Sequence, residues 1–321
     1  MKIVVLDGYA LNPGDISWQA LRNMGDTVIY DRTSYTETNE IIERIGEAQA
    51  IFTNKTPITE EILAACPTVA YIGVLATGYN VVDIAAAQKR NIPVTNVPSY
   101  GTDAVAQFTF ALLLEIVSQV GLHNQSVHQG DWQNSKDFTY WKSPLMELSG
   151  KTIGLVGYGT IAHVVAEIAH AFQLKVIYYN HRPKQPQAGW IRQVSLEELY
   201  QQADIISLHI PQMPETERMI DAAAISQMKD RVILINTSRG GLLDEAEVSE
   251  ALNSGKIAAL GADVVSKEPI TSDNPLLQAK NCYLTPHIAW APVETRERLM
   301  KIAMSNFQSF LNGAVQNRVN E

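Results

Sequence analysis

The sequence predicts an α/β fold built on two doubly wound parallel sheets, and three observations predict it. Short, near-continuous apolar runs recur along the chain, with segments of helical apolar spacing between them. The runs lack strict polar/apolar alternation, which is the pattern of strands buried on both faces of a parallel sheet. The strand-helix series occurs twice, once on each side of Gly150, in a chain whose 321 residues suit two domains better than one core.

In the first series KIVVL (2–6) ends in Asp7-Gly8, and TVIY (27–30), AIFT (50–53), VAYIGVL (69–75) and PVTNV (93–97) follow. Each is β-branched or aromatic and closes on polar, Gly or Pro punctuation. The second series is TIGLVG (152–157), KVIYY (175–179), DIISLHI (204–210), RVILIN (231–236), IAALGADV (257–264) and CYL (282–284). Between strands, Ile161, Val164, Val165, Ile168, Ala169 and Phe172 repeat at helical spacing, as do Leu243, Val248 and Leu252. Segment 103–120 is apolar on nearly every side, and Thr102 or Asp103 is placed to cap it. Such a helix belongs in a central core, between domains or in a subunit interface.

A last helix runs from Pro292 to Gly313 with the stripe Leu299, Ile302, Ala303, Phe307, Phe310 and Leu311. Only residues 289–321 follow the final strand and its Pro-His, too few for a domain. The helix is therefore expected to return to the first series. The expected domains are 1–101 with 289–321, and 102–288, with an active-site cleft between them and His287 at the crossing.

With 46% hydrophobic and 18% charged residues and a net charge of −9, the chain is globular and has no basic excess for nucleic acid or anionic membrane. Its two cysteines, Cys66 and Cys282, have no paired spacing, so neither a disulfide framework nor a metal site is expected. MKIVVLDGYA is too briefly apolar for a signal peptide, and Gln107, Glu115 and Gln119 interrupt the longest apolar stretch. These features together point to a cytoplasmic protein acting on a small molecule.

In IGLVGYGTIA, Gly157, Gly159 and Ala162 stand at GxGxxG/A spacing between a strand and an amphipathic helix. Gly157 allows the tight turn, Gly159 lets a pyrophosphate approach the backbone, and Ala162 lets helix and strand pack closely. Alone this could be a merely Gly-rich turn; in an ordered series of strands it points to a dinucleotide, NAD or NADP. The next strand ends in Asn180-His181-Arg182, where an acid would take the ribose hydroxyls of NAD. Repulsion toward a 2′-phosphate is absent and a cation is present, so NADP is expected to be tolerated or preferred.

Arg239, Glu268 and His287 follow the ends of three successive strands, in INTSRGGLLD, ADVVSKEP and LTPHIAW. In an open parallel sheet that end is where ligands bind. A guanidinium fork matches a carboxylate or a polarised carbonyl oxygen. A carboxylate beside an imidazole orients the ring, which then exchanges a proton with a substrate oxygen. Each residue alone has an ordinary reading as a cap, a solvated charge or a packed ring; together, beside a nicotinamide, they suit hydride transfer at a 2-keto or 2-hydroxy acid. His209, in SLHIP, either lines the cofactor groove or simply packs.

The ordered set GLVGYGTIA, SLHIPQMPET, INTSRGGLLDE, ADVVSKEP and LTPHIAW resembles the D-isomer-specific 2-hydroxyacid dehydrogenase family over essentially the whole chain. The resemblance implies two Rossmann-like or flavodoxin-like domains, the substrate domain made of both chain ends, and a homodimer, expected through the 103–120 helix region. It implies that Arg239 binds and polarises the substrate, that His287 is the acid/base and that Glu268 is its partner. Tyr158, Gly159, Thr160 and Ile161 would lie at the cofactor phosphates, and Thr237, Ser238, Arg239 and Asp263 toward the nicotinamide. VLATGYNVVD (74–83) resembles the loop whose backbone N–H groups grip the substrate carboxylate, here Leu75, Ala76, Thr77 and Gly78. TNKTPIT, NVPSYGTDAVAQ and Trp290 look most like the glycerate dehydrogenase branch, which reduces hydroxypyruvate; Asn54, Tyr100 and Trp290 would border the pocket. A lactate-type or other 2-hydroxyacid dehydrogenase, or a dinucleotide-sensing interaction module, are the alternative readings.

Overall fold

The computed structural model of the chain describes residues 1–184 and 188–320; residues 185–187 and Glu321, which fall within the two expected domains, lie outside the described residues. The chain divides into two compact units, Met1–Gly101 with Trp290–Glu321, and Thr102–Ala289.

In the first unit five strands form one parallel sheet: β1 (Lys2–Val5), β2 (Asp26–Ile29), β3 (Ala50–Thr53), β4 (Tyr71–Val74) and β5 (Val94–Thr95), in the order β2-β1-β3-β4-β5. The three central strands are buried on both faces apart from Lys2, which accounts for their unbroken apolarity. One face packs Val4, Ile51 and Ile72 under Ile41, Ile62 and Leu63. The other packs Ile3, Val5, Phe52 and Tyr71 under Leu299, Ala303 and Phe307. The latter three lie on the helix Val293–Leu311, so the C-terminal helix does complete the first sheet. The Phe307 ring lies 5.3 Å from that of Phe52 and 5.0 Å from that of Tyr71. Arg296 pins the start of this helix. Its guanidinium donates to the Asp15 carboxylate at 2.7 and 2.5 Å, and to the carbonyls of Leu11 and Ala291.

In the second unit seven parallel strands run in the order β12-β11-β10-β9-β6-β7-β8. They are β6 (Thr152–Val156), β7 (Lys175–Tyr179), β8 (Ile191–Gln193), β9 (Ile205–Leu208), β10 (Val232–Asn236), β11 (Ile257–Ala262) and β12 (Cys282–Leu284). The winding reverses between β6 and β9, and a ligand crevice forms at the carboxyl ends of such a switch point. The edge strand β8 has no counterpart among the predicted strands: Ile-Arg-Gln holds a single apolar residue.

The helix Thr102–Ser118 lies against this sheet, with Phe110, Leu113, Ile116 and Val117 in one core with Ile153, Leu155, Ala162 and Val165. It is therefore chiefly a core helix of its own unit, and the expected dimer surface does not coincide with its buried face. It also ends earlier than the apolar run. Gln119 takes a left-handed φ of 45°, and a second helix, Val120–His128, departs at 57°. Exposed apolar side chains cluster just beyond the break: Val120, Leu122, Val127, Trp132, Phe138, Trp141 and Leu145. Among the described residues no single helix is long and apolar enough to cross a membrane.

Because Phe307 is fully buried between Phe52 and Tyr71, Phe307→Ala should cost about 3–5 kcal/mol of stability. Denaturant unfolding measures this. A loss below about 1 kcal/mol would show that the returning helix does not complete the first core.

Candidate active site

The Gly-rich turn sits at the carboxyl end of β6, at the switch point. Gly157 has φ +95°, and a Cβ there would stand 2.5 Å from the His209 carbonyl oxygen, so only glycine fits. Gly159 differs: a Cβ there would meet nothing within 4 Å, which leaves its backbone open to a ligand. The helix that follows, Thr160–Ala171, has no side-chain cap, whereas Asp221 and Asp244 cap two later helices of the same unit. Its first-turn N–H groups thus keep their positive potential directed at that open backbone. Ala162 is fully buried, as close helix-strand packing requires. The turn therefore fits a dinucleotide pyrophosphate.

Tyr158 does not face the open side. Its ring is buried, 4.0 Å from the rings of both Tyr178 and His163, so only its backbone faces the turn. That backbone is clamped by the next loop: the Tyr158 N–H donates to Asn180 Oδ1 at 3.2 Å, and Lys184 Nζ donates to the Tyr158 carbonyl at 2.7 Å. Asn180 also donates to the Arg182 carbonyl, while His181 and Arg182 are exposed. Lys184 was not among the predicted residues, although the RPK tripeptide carried the signal of a second cation. His209 makes a 2.9 Å hydrogen bond between its Nε2 and Ser207 Oγ, and burial pushes its pKa down to about 4. It is a neutral, packed ring whose carbonyl abuts Gly157.

Arg239, Glu268 and His287 lie on the loops after β10, β11 and β12, which are adjacent in the sheet. His287 Nδ1 and Glu268 Oε2 are 2.7 Å apart, and Glu268 Oε1 accepts the Val265 N–H at 3.4 Å. The carboxylate is thus fixed on one side and the ring on the other, which leaves Nε2 as the atom free to exchange a proton. Arg239 is exposed. Its Nη1 donates to the Ser238 carbonyl, and its own carbonyl accepts from Asn236 Nδ2 at 2.9 Å. Gly240 is packed so closely that a Cβ would lie 1.8 Å from the Val265 carbonyl carbon. This backbone contact docks the arginine loop onto the glutamate loop, and explains why glycine follows Arg239. Thr237 shares a 3.0 Å hydrogen bond with Thr109, and the Ser238 N–H donates to Asn236 Oδ1.

The buried Asp263 carries a role that its place after β11 did not reveal. Oδ1 accepts from Thr285 Oγ1 at 2.6 Å and from the Ile288 N–H at 2.8 Å, while Oδ2 accepts from the Ala289 N–H at 2.7 Å. His287, with φ +55°, sits inside this grip. Burial pushes the Asp263 pKa up, and the three hydrogen bonds pull against that rise. Glu245 similarly anchors the glutamate loop by accepting from the Ser266 N–H and Oγ at 2.7 and 2.6 Å.

In the first unit the 75–78 loop follows β4. The Leu75 N–H already donates to the Thr53 carbonyl at 2.8 Å, so it is not available to a substrate, contrary to the expectation for that residue. The N–H groups of Ala76, Thr77 and Gly78 have no acceptor among the described residues. The carbonyls of Ala76 and Thr77 accept from the Val97 N–H at 3.0 Å and Asn96 Nδ2 at 2.7 Å, and Thr77 Oγ1 donates to the Val97 carbonyl. A loop with paired carbonyls and three successive unpaired N–H groups suits an anion. Tyr100 is buried with its ring 6.5 Å from that of Trp290, edge to face. Among the described residues no group of three His, Cys, Asp or Glu could hold a metal ion.

Residues 110–289 match the family model of the D-isomer specific 2-hydroxyacid dehydrogenase, NAD binding domain. The whole chain is 52% identical over 322 residues to a hydroxypyruvate reductase of Blautia hydrogenotrophica, with both chains fully covered. A glycerate dehydrogenase of Methylorubrum extorquens is 38% identical over 282 residues, 87% of this chain and 88% of that one. Among solved structures, an NADPH-dependent glyoxylate/hydroxypyruvate reductase of Sinorhizobium meliloti, in complex with citrate, superposes with a TM-score of 0.84 at 28% identity, covering 99% of this chain and 97% of that one. A Gly-rich turn built for a nicotinamide dinucleotide, an imidazole-carboxylate pair on the same sheet and these matches lead to one conclusion: the chain belongs to the D-isomer-specific 2-hydroxyacid dehydrogenase family.

Proposed function

We propose that the chain is an NAD(P)H-dependent reductase of small 2-keto acids, with hydroxypyruvate as the preferred substrate and glyoxylate second. What supports the reaction class most directly is the 2.7 Å His287–Glu268 pair, docked beside the Arg239 loop on the sheet that carries the dinucleotide turn. Hydroxypyruvate is supported by the full-length similarity to a hydroxypyruvate reductase and by the glycerate dehydrogenase relative.

The backbone of Gly157, Tyr158, Gly159, Thr160 and Ile161 holds the cofactor phosphates. When bound, the dinucleotide supplies the hydride for C2 of the keto acid. The N–H groups of Ala76, Thr77 and Gly78 hold the substrate carboxylate, and the Arg239 fork holds the keto oxygen and polarises it. As C2 is reduced, His287 Nε2 gives its proton to that oxygen, and Glu268 stays opposite the Nδ1–H throughout. Asp263 keeps the His287 turn in place on the nicotinamide side. In the reverse direction the neutral ring takes the hydroxyl proton back.

NADPH is used at least as readily as NADH. What supports this is the uncharged Asn180 where an acid would repel a 2′-phosphate, followed by the exposed His181 and Arg182 and by Lys184 against the Tyr158 carbonyl. The working form is a homodimer, formed through the exposed apolar side chains of 120–145 rather than through the 103–120 helix.

His287→Gln keeps the ring's approximate volume but cannot donate a proton in this way. It should lower kcat for hydroxypyruvate by about 10²–10⁴ with little change in NADH binding. Turnover within twofold of the parent would remove His287 from the chemistry. Asn180→Asp should shift the NADPH/NADH ratio of kcat/KM toward NADH by at least about tenfold, and an unchanged ratio would show that position 180 does not sense the ribose. Light scattering coupled to gel filtration should give twice the chain mass. Replacing Phe138 and Trp141 by Ser should yield monomers, and a parent protein that is already monomeric would refute the dimer.

A further inference from the structure

The carboxyl end of β1 carries a carboxylate that the reaction described so far does not use. Asp7 is 5% exposed, and its side chain accepts three successive backbone N–H groups from another loop. Asn54 N donates to Oδ1 at 2.7 Å, and Lys55 N and Thr56 N donate to Oδ2 at 2.5 and 2.9 Å. The loop is closed from its other side by Thr53 Oγ1, which donates to the Thr56 carbonyl at 2.8 Å. Three amides converging on one buried anion form a rigid anchor, since no neutral side chain can accept all three.

What the anchor holds is the Asn54 amide. Asn54 is 6% exposed, yet its side chain makes no hydrogen bond among the described residues. An amide held in place with no protein partner keeps its donors and its acceptor for a ligand. Its place in the sheet indicates which ligand. Thr53 and Val74 are register partners on β3 and β4, and the Leu75 N–H donates to the Thr53 carbonyl. Asn54 and Leu75 are therefore neighbouring residues at adjacent strand ends, and the three unpaired N–H groups of 76–78 begin at the next position. With a 2-keto acid carboxylate on those N–H groups, Asn54 is the residue at the neighbouring strand end, on the β3 side of whatever extends from C2.

We infer that Asp7 is a positioning residue: it locks the 54–56 loop so that the Asn54 amide recognises a hydroxyl on C3 of the substrate. This rests on the reading of the chain as a 2-keto acid reductase with its substrate carboxylate on the 76–78 loop. Glyoxylate has no C3 and pyruvate has no hydroxyl there, so the pair makes the protein selective for a hydroxylated three-carbon acid. Asp7 itself touches no substrate.

The test uses the full-length protein with saturating NADH and three substrates, hydroxypyruvate, pyruvate and glyoxylate. Asp7→Asn replaces one acceptor oxygen by a donor facing the loop N–H groups. Asn54→Ala removes the amide and leaves the anchor intact. Each should raise KM for hydroxypyruvate and lower the hydroxypyruvate/glyoxylate ratio of kcat/KM by about tenfold, the size of one lost hydrogen bond. The Kd for NADH, read by fluorescence, should stay the same. The double variant should be no less selective than the worse single, because both act through one amide. An unchanged ratio in Asn54→Ala overturns the inference, as does an Asp7→Asn protein that loses all three substrates equally. If Asp7→Asn does not fold, the Asn54→Ala ratio decides alone. A parent protein that reduces none of the three substrates overturns the reductase reading and this inference together, whereas one that reduces hydroxypyruvate while both variants keep its selectivity overturns only the inference.

Discussion

Asp263 ties the end of β11 to the turn that carries His287, and the placement of the three strand-end side chains of the second unit depends on that tie. A histidine with φ +55° has few ways to stay there, because a left-handed backbone is unfavourable for a residue with a Cβ. Three donors on one buried carboxylate hold it. From that fixed turn the ring reaches Glu268, Glu268 reaches the Val265 N–H, and the Val265 backbone receives Gly240. A chain of contacts thus runs from one acid through all three loops. The sheet supplies order and direction; these contacts supply the last ångström, which matters because catalytic groups misplaced by that much lose much of their effect.

The first unit repeats the device on different material. Asp7 at the end of β1 and Asp263 at the end of β11 are both buried acids that accept mainly backbone N–H groups from a neighbouring loop. In each case the loop bears a polar side chain with a free face, Asn54 or His287. Burying a carboxylate costs free energy, and several donors on it at once offset that cost. Function at the ends of parallel strands has a physical reason here: strand ends are where loops become free of the sheet's own hydrogen bonds, and an extra anchor is needed to stop them.

Much of the architecture was legible because burial on both faces leaves a strong imprint. β1, β3, β4, β6, β9, β10 and β11 all read as apolar runs, and the returning helix showed as an apolar stripe at helical spacing. β8 left no such imprint, being an edge strand of one apolar and two polar residues. The break at Gln119 was hidden because glutamine is an ordinary helix former, and its left-handed φ is not a preference of that residue type. At the site, residue types and strand-end positions sufficed to find Arg239, Glu268 and His287. They could not show that the Leu75 N–H is tied to β3, that Tyr158 turns its ring inward, or that Asp263 faces the His287 turn. Those depend on which way a group points, and one sequence carries no signal for that.

Ala289 ends the second unit, and its N–H is one of the three held by Asp263. The polypeptide therefore passes from one unit to the other immediately beyond a pinned residue. Beyond the Ala289 nitrogen the backbone is no longer held by that carboxylate. The imidazole of His287 is accordingly fixed within the unit that carries the dinucleotide turn, while the indole of the very next segment, at Trp290, is fixed within the other.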